Sequence, residues 1–332
     1  MTGQPSLALQ VEGLNKRYGD VTALSEVSFT VEQGELFGFL GPNGAGKTTT
    51  INLLIGLSRP DAGRIIIGGV DCTTNPKAAQ HLIGVVPDDS NLYPELTGFE
   101  NLCFCAALYG MRRTERESRA RELLEAFDLT PAADRKFGGY SRGMKRKLTL
   151  AAGIIHRPQI LFLDEPTTGI DVASARQVRQ LVADLHRSGT TIFLTTHYLE
   201  EAERLCERIA FIVAGRVVRT ALKAELMQPL EGRHTLLLSL EGEHPGLSDQ
   251  LATAFPAYAV TDVAAGQMRL VASERMPLPP LLRWLEERGA EVVEARQLRP
   301  SLEEVFVEIT GLAAAALARE KEKAGGAGGG AA

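Results

Sequence analysis

The sequence predicts an α/β fold with a parallel sheet over residues 5–225, a small α+β module over residues 230–310, and a disordered tail over residues 311–332. Three observations predict it. Short apolar runs at residues 35–40, 160–163, 191–194 and 209–213 have the length of buried strands, and helical stretches such as 173–186 separate them. A glycine-rich loop at residues 41–48 follows the first of these runs and opens a helix. Beyond residues 222–229 the pattern changes to short alternating runs with turn signals of their own.

Taken in chain order, residues 7–14 mix apolar and polar side chains, and residues 24–31 alternate through Leu24, Val27, Phe29 and Val31, so both read as strands. Residues 48–57 read as the helix after the glycine-rich loop. A turn at residues 60–63 precedes a β-branched strand at 64–67. Residues 97–129 are helical in pattern, with Leu123, Leu124 and Phe127 on one face. In the module, residues 235–240 read as a strand, and 258–263 with 268–272 form a hairpin around Gly266. Residues 281–288 form an amphipathic helix that stops at Gly289. Residues 291–295 are a further strand, and the capping box Ser301-Leu302-Glu303-Glu304 opens a helix reaching Thr310. The Ala-, Lys- and Gly-rich stretch from Gly311 has the composition of a disordered tail.

A chain of 332 residues has room for two domains, and its 44% hydrophobic content is enough to build cores. The net charge of −5 argues against nucleic acid as a partner, because affinity for phosphate backbones comes from excess cations. No apolar run approaches the roughly 18 residues of a spanning helix; the longest candidates are residues 148–155 and 209–214. The first ten residues lack the basic and apolar regions of a signal peptide, so a cytoplasmic chain is expected. Cys72, Cys103, Cys105 and Cys206 form no CxxC pair, and neither a metal–thiolate site nor a disulfide is expected.

Gly41-Pro42-Asn43-Gly44-Ala45-Gly46-Lys47-Thr48 matches G-x-x-x-x-G-K-[ST] between a strand and a helix. The glycines let backbone N–H groups turn toward phosphate oxygens, and the helix N-terminus adds partial positive charge. Lys47 reaches the β- and γ-phosphates, and Thr48 offers its hydroxyl to Mg²⁺. Thr49 lies at the same helix start. Residues 160–166 form the second half: an apolar strand delivers Asp164 and Glu165 at its C-terminal end, where α/β folds place ligands. Asp164 is the expected Mg²⁺ holder and Glu165 the general base for an attacking water.

With both motifs placed, residues 5–220 resemble the nucleotide-binding subunits of ABC transporters. The segment Tyr140-Ser141-Arg142-Gly143-Met144 is similar to that family's signature, usually written LSGGQ. Ser141 and Gly143 keep their places, while Tyr140, Arg142 and Met144 depart; the YSxGMK form is familiar in exporters of drugs and polysaccharides. An opposing reading takes residues 142–147 as a nucleic-acid or nuclear-localisation patch, against the acidity of the chain. Tyr18 resembles the aromatic that stacks on adenine, or is an ordinary strand-end tyrosine. Asp171 resembles the D-loop aspartate coupling two sites across a dimer, or is a plain helix cap. His197 resembles the switch histidine that contacts the γ-phosphate, or is a structural histidine. Where the family has a Q-loop glutamine, this chain has Asp88, a candidate Mg²⁺ contact one methylene shorter.

The resemblance implies a P-loop NTPase of the ABC ATPase type with an antiparallel β subdomain and a helical subdomain. It implies ATP and Mg²⁺ as ligands, a head-to-tail dimer, and a separate permease of about six spanning helices docked near residues 87–108. The subunit would then lie on the inner face of the cell membrane. The module at 230–310 resembles a C-terminal extension common in the exporter subgroup. A non-transport ABC ATPase acting on a macromolecular partner is the alternative. Such proteins usually carry two of these domains in one chain, or long coiled coils. A GTPase would need an NKxD motif, and this chain has none.

Overall fold

Alternating inward side chains turn β1 (Leu7–Tyr18) and β2 (Val21–Glu32) into a long antiparallel pair, with Leu9 opposite Val31 and Val11 opposite Phe29. The computed structural model describes residues 6–228, 232–298 and 301–311. The chain divides into two compact units, Ala224–Val305 and the remainder, so the second unit starts just before the expected module and the last helix is shared.

In the first unit, β3 (Leu36–Leu40) leads through the glycine-rich loop into α1 (Lys47–Leu54). Next, β4 (Ala62–Ile67) and β5 (Val70–Asp71) complete an antiparallel sheet of order β2-β1-β4-β5. Then come β6 (Ile83–Val86), α2 (Gly98–Leu108), α3 (Arg113–Ala126) and α4 (Arg142–Gly153). The unit continues with β7 (Ile160–Asp164), α5 (Val172–Arg187), β8 (Thr191–Thr196) and α6 (Leu199–Leu205). It closes with β9 (Arg208–Val213) and β10 (Arg216–Leu222). The helix expected over residues 97–129 is two helices, because Tyr109 ends the first and Gly110, at φ +77°, turns the chain out of it.

The second sheet has the order β10-β9-β3-β8-β7-β6. The strands from β9 to β6 run parallel, and β10 closes one edge antiparallel. This order sets the C-terminal ends of β3, β8, β7 and β6 side by side. Phenylalanines hold the two sheets together. Phe29 from the antiparallel sheet packs against Phe37, Phe39 and Phe193 of the parallel one, with ring centroids 5.7, 5.2 and 5.6 Å away.

A short helix, α7 (Lys223–Met227), crosses into the second unit. There β11 (His234–Leu240), α8 (Leu247–Ala254), β12 (Ala259–Ala264), β13 (Gln267–Ala272), α9 (Leu278–Glu286) and β14 (Val292–Leu298) follow. The antiparallel sheet, ordered β12-β13-β11-β14, buries Leu236, Leu238 and Leu270 with Leu251, Leu281 and Leu285 of the two helices. The last helix, α10 (Leu302–Thr310), forms only half of its expected capping box. Ser301 Oγ accepts from the Glu304 amide at 3.4 Å, but the Glu304 carboxylate is paired with Arg269. Among the described residues no helix is long and apolar enough to cross a membrane. Residues 312–332, the remainder of the expected tail, lie outside the described residues.

The phenylalanine cluster predicts a stability effect away from the site. Phe29→Ala removes the ring shared by both sheets and should cost about 3–5 kcal/mol. Urea unfolding followed by circular dichroism measures it, and a midpoint equal to wild type would refute the assigned role.

Candidate active site

At the end of β3 the chain must pass close to β9. A Cβ on Gly41 would lie 2.2 Å from the Ile212 carbonyl oxygen, so only glycine fits. The loop then turns through Gly44 at φ +75° and Gly46 at φ +108°, a region that glycine enters without strain. Pro42 is half-buried, Asn43 and Gly44 are exposed, and Ala45 is buried, with its carbonyl accepting from the Gly215 amide at 3.0 Å. Thr48 is exposed and Thr49 half-buried at the helix start.

Lys47 is 5% exposed, so its charge needs partners. Its Nζ donates to the carbonyls of Gly41 at 2.8 Å and Pro42 at 3.2 Å, and lies 3.2 Å from Glu165 Oε1. Asp164 ends β7. Its Oδ1 accepts from Thr195 Oγ1 at 2.5 Å and its Oδ2 from Thr48 Oγ1 at 3.3 Å. Burial pushes the Asp164 carboxyl above its usual range, with the Glu165 charge adding to it and the Thr195 hydrogen bond opposing.

Glu165 follows with φ +48°, a left-handed conformation uncommon outside glycine. Its amide donates to the Thr195 carbonyl at 3.0 Å, and Thr168 Oγ1 donates to its Oε2 at 3.3 Å. His197 Nδ1 lies 2.8 Å from the same Oε2. Burial alone would raise this carboxyl, but the His197 hydrogen bond and the Lys47 charge outweigh it and hold the group below its usual range. A carboxylate only accepts, so His197 presents Nδ1–H to it.

A second group forms where α4 and α5 begin. Ser141 is exposed and caps α4, accepting from the Met144 amide at 3.2 Å. Asp171 caps α5, accepting from the Ser174 amide at 2.9 Å and the Ser174 hydroxyl at 2.6 Å. A Cβ on Gly143 would lie 2.3 Å from Ser174 Oγ, so this glycine lets the two helix starts touch. Tyr140, a departure from the signature, is buried, and its hydroxyl donates to the Ala132 carbonyl at 2.6 Å. Tyr18 ends β1 half-exposed, with Lys16 Nζ 5.3 Å from its ring centre.

Asp88 follows β6 and is exposed. Partial desolvation raises its carboxyl, the Glu165 and Asp164 charges add to this, and Arg146 opposes. The structure thus gathers Lys47, Thr48, Asp164, Glu165 and His197 through direct contacts, and sets Ser141, Gly143 and Asp171 in a separate cluster. Sequence reasoning missed Thr195, Thr168 and Arg146. Arg146 sits in the basic run 145–147, named in the sequence only within the opposing nucleic-acid patch, yet its position three residues after buried Gly143 and four before buried Leu150 puts it on the inward face of α4.

The pattern has known counterparts. The ABC transporter family profile matches residues 24–168. The linearmycin resistance ATP-binding protein of Bacillus subtilis (strain 168) is 36% identical over 91% of this chain and 98% of its own length. A daunorubicin resistance ATP-binding protein of Streptomyces coeruleorubidus is 40% identical over 92% of this chain and 96% of its own. The Nod factor export ATP-binding protein I of Burkholderia lata is 36% identical over 92% and 98%. A solved ATP-binding subunit of an ABC transporter, 31% identical, superposes with a TM-score of 0.61 over 68% of this chain and 93% of that one. A dimeric ATP-binding cassette in a post-hydrolysis state with ADP and Pi, 27% identical, gives 0.60 over 64% and 98%. The chain belongs to the ABC transporter family, as one of its ATP-binding subunits.

The acidic pair makes a prediction. The folded value of Asp164 lies above 3.8, so its ionised form costs stability at neutral pH. Asp164→Asn should therefore melt a few degrees higher than wild type at pH 7.5 without added nucleotide or metal. The gap should close as pH falls through the folded value. Calorimetry across pH checks both, and a lower melting temperature at pH 7.5 would contradict the burial argument.

Proposed function

We propose that the chain is the ATP-hydrolysing subunit that powers export of a substrate through a separate permease of about six spanning helices. The observation that carries this reading is Glu165: a buried carboxylate held ionised between Lys47 and His197, beside a phosphate-type loop. Residues 5–225 are the ATP-binding domain and 230–310 an accessory module. The subunit works on the inner face of the membrane, held there by the permease. The names of the relatives favour a drug or a Nod factor-like molecule as the class of cargo.

The loop 41–46 and the start of α1 fit a triphosphate, since glycine conformations turn amides inward and Lys47 adds a cation. Tyr18 would stack on the base. Lys47, held by Glu165 and two loop carbonyls, would transfer to the phosphates and free Glu165 to accept a proton from the attacking water. His197 orients Glu165 through Nδ1 and is placed to meet the γ-phosphate. Thr48 and Asp164 supply the hard oxygen donors for Mg²⁺, with Asp88 close by; bound there, the ion would offset phosphate charge. Two copies arranged head to tail would set Ser141 and Gly143 of one against the ATP of the other, with Asp171 coupling the sites.

Glu165→Gln should keep ATP binding but lose turnover by roughly 10²-fold or more, since an amide cannot take the proton. It should also accumulate as an ATP-bound dimer, seen by sedimentation. Ser141→Arg and Lys47→Ala should each be inactive alone. Mixed, they give heterodimers with one doubly defective and one intact composite site, and part of the activity should return. Wild-type turnover in Glu165→Gln would overturn the general-base role, and absence of any recovery on mixing would count against action across the dimer.

A further inference from the structure

Arg146 is 6% exposed and spends every N–H of its guanidinium on main-chain oxygens. Nε donates to the Pro166 carbonyl at 2.7 Å. Nη2 donates to the carbonyls of Asp164 at 2.8 Å and Glu165 at 2.6 Å. Nη1 donates to the Pro87 carbonyl and to the Asp88 carbonyl at 2.9 Å. Its charge faces the carboxylates of Asp88, Asp164, Glu201 and Glu165. One side chain therefore fastens three segments: the loop after β6, the strand end carrying Glu165, and its own helix α4, whose cap Ser141 lies five residues earlier.

We propose that Arg146 is a positioning residue that locks the Pro87–Asp88 loop and the start of α4 to the backbone of Glu165, so that the aim of the general base depends on both. This rests on the ATPase reading above. The physical reason is that Glu165 holds a left-handed backbone, which persists only where its surroundings over-determine it. Three of the five bonds fall on Asp164, Glu165 and Pro166, across that residue. Movement of the 87–88 loop, or of Ser141 as a partner copy engages it, reaches Glu165 through a planar, rigid fork. A lysine has three donors on one atom and cannot hold both segments.

The test uses the full chain and compares wild type, Arg146→Lys, Pro87→Gly and the double variant, reading ATPase kcat, nucleotide Kd and melting temperature. Misaiming Glu165 should lower kcat about 100-fold in Arg146→Lys, while Kd changes by less than about threefold, because ground-state binding is untouched. Pro87→Gly should lower kcat in the wild-type background and add little in the Arg146→Lys background. Wild-type kcat in Arg146→Lys, or additive effects in the double variant, would overturn the proposal. So would a lower melting temperature with unchanged kcat per nucleotide-binding site, the mark of a purely structural role. Should Arg146→Lys fail to fold, hydrogen exchange in wild type decides. A non-hydrolysable ATP analogue should slow the amides of residues 88–90, and an unchanged rate overturns the link. A wild type that binds but never hydrolyses ATP would overturn the ATPase reading itself, whereas normal hydrolysis in every variant would overturn only the role of Arg146.

Discussion

The contact between Lys47 Nζ and Glu165 Oε1, 3.2 Å long and almost closed to solvent, is the constraint around which the site is arranged. A buried ammonium and a buried carboxylate are each costly alone, and losing either partner leaves the other uncompensated. The His197 hydrogen bond and this pairing together explain why Glu165 stays ionised despite burial, while Asp164 beside it is pushed the other way. Two adjacent carboxylates thus have distinct characters, set by which of them meets the lysine and the histidine. In the proposed cycle Lys47 is the charge that moves: phosphate oxygens replace Glu165 and the loop carbonyls as its partners.

That arrangement depends on strand order. Because β3, β8, β7 and β6 are consecutive in the sheet, the loop bearing Lys47, the Thr195–His197 turn, the Asp164–Glu165 pair and Asp88 emerge at one edge. The sheet is itself held by Phe29 reaching across from the antiparallel sheet, so packing far from the chemistry fixes the spacing of charged groups. Glycine at 41 and 143 serves the same end in two places, each allowing backbone or helix to approach where a methyl group would collide.

Much of this was legible in the sequence. Apolar runs of four to six residues marked the buried strands, and the G-x-x-x-x-G-K-[ST] spacing located Lys47 and Thr48, because these signals are local. Elsewhere a single local signal was not enough. Residues 97–129 kept helical periodicity through Gly110, yet the chain turns there. The Ser301 box lost its second half because Arg269, distant in sequence, claims Glu304. The edge strand β10 carries Arg216 and Arg219 on exposed positions, which hid its strand character. Arg146 was the largest omission: a basic run suggests a solvated face, and nothing local reports five carbonyls converging from two other segments. Asp171 was legible only as a pair of alternatives; it does cap α5, and its coupling role belongs to the proposed dimer.

The most direct test of the central claim is a crystal structure of the wild-type chain with Mg²⁺ and a non-hydrolysable ATP analogue. Lys47 Nζ should then lie within hydrogen-bonding distance of phosphate oxygens and be withdrawn from both Glu165 Oε1 and the Gly41 carbonyl. A structure with the analogue bound along residues 41–48 and Lys47 still paired with Glu165 would contradict it.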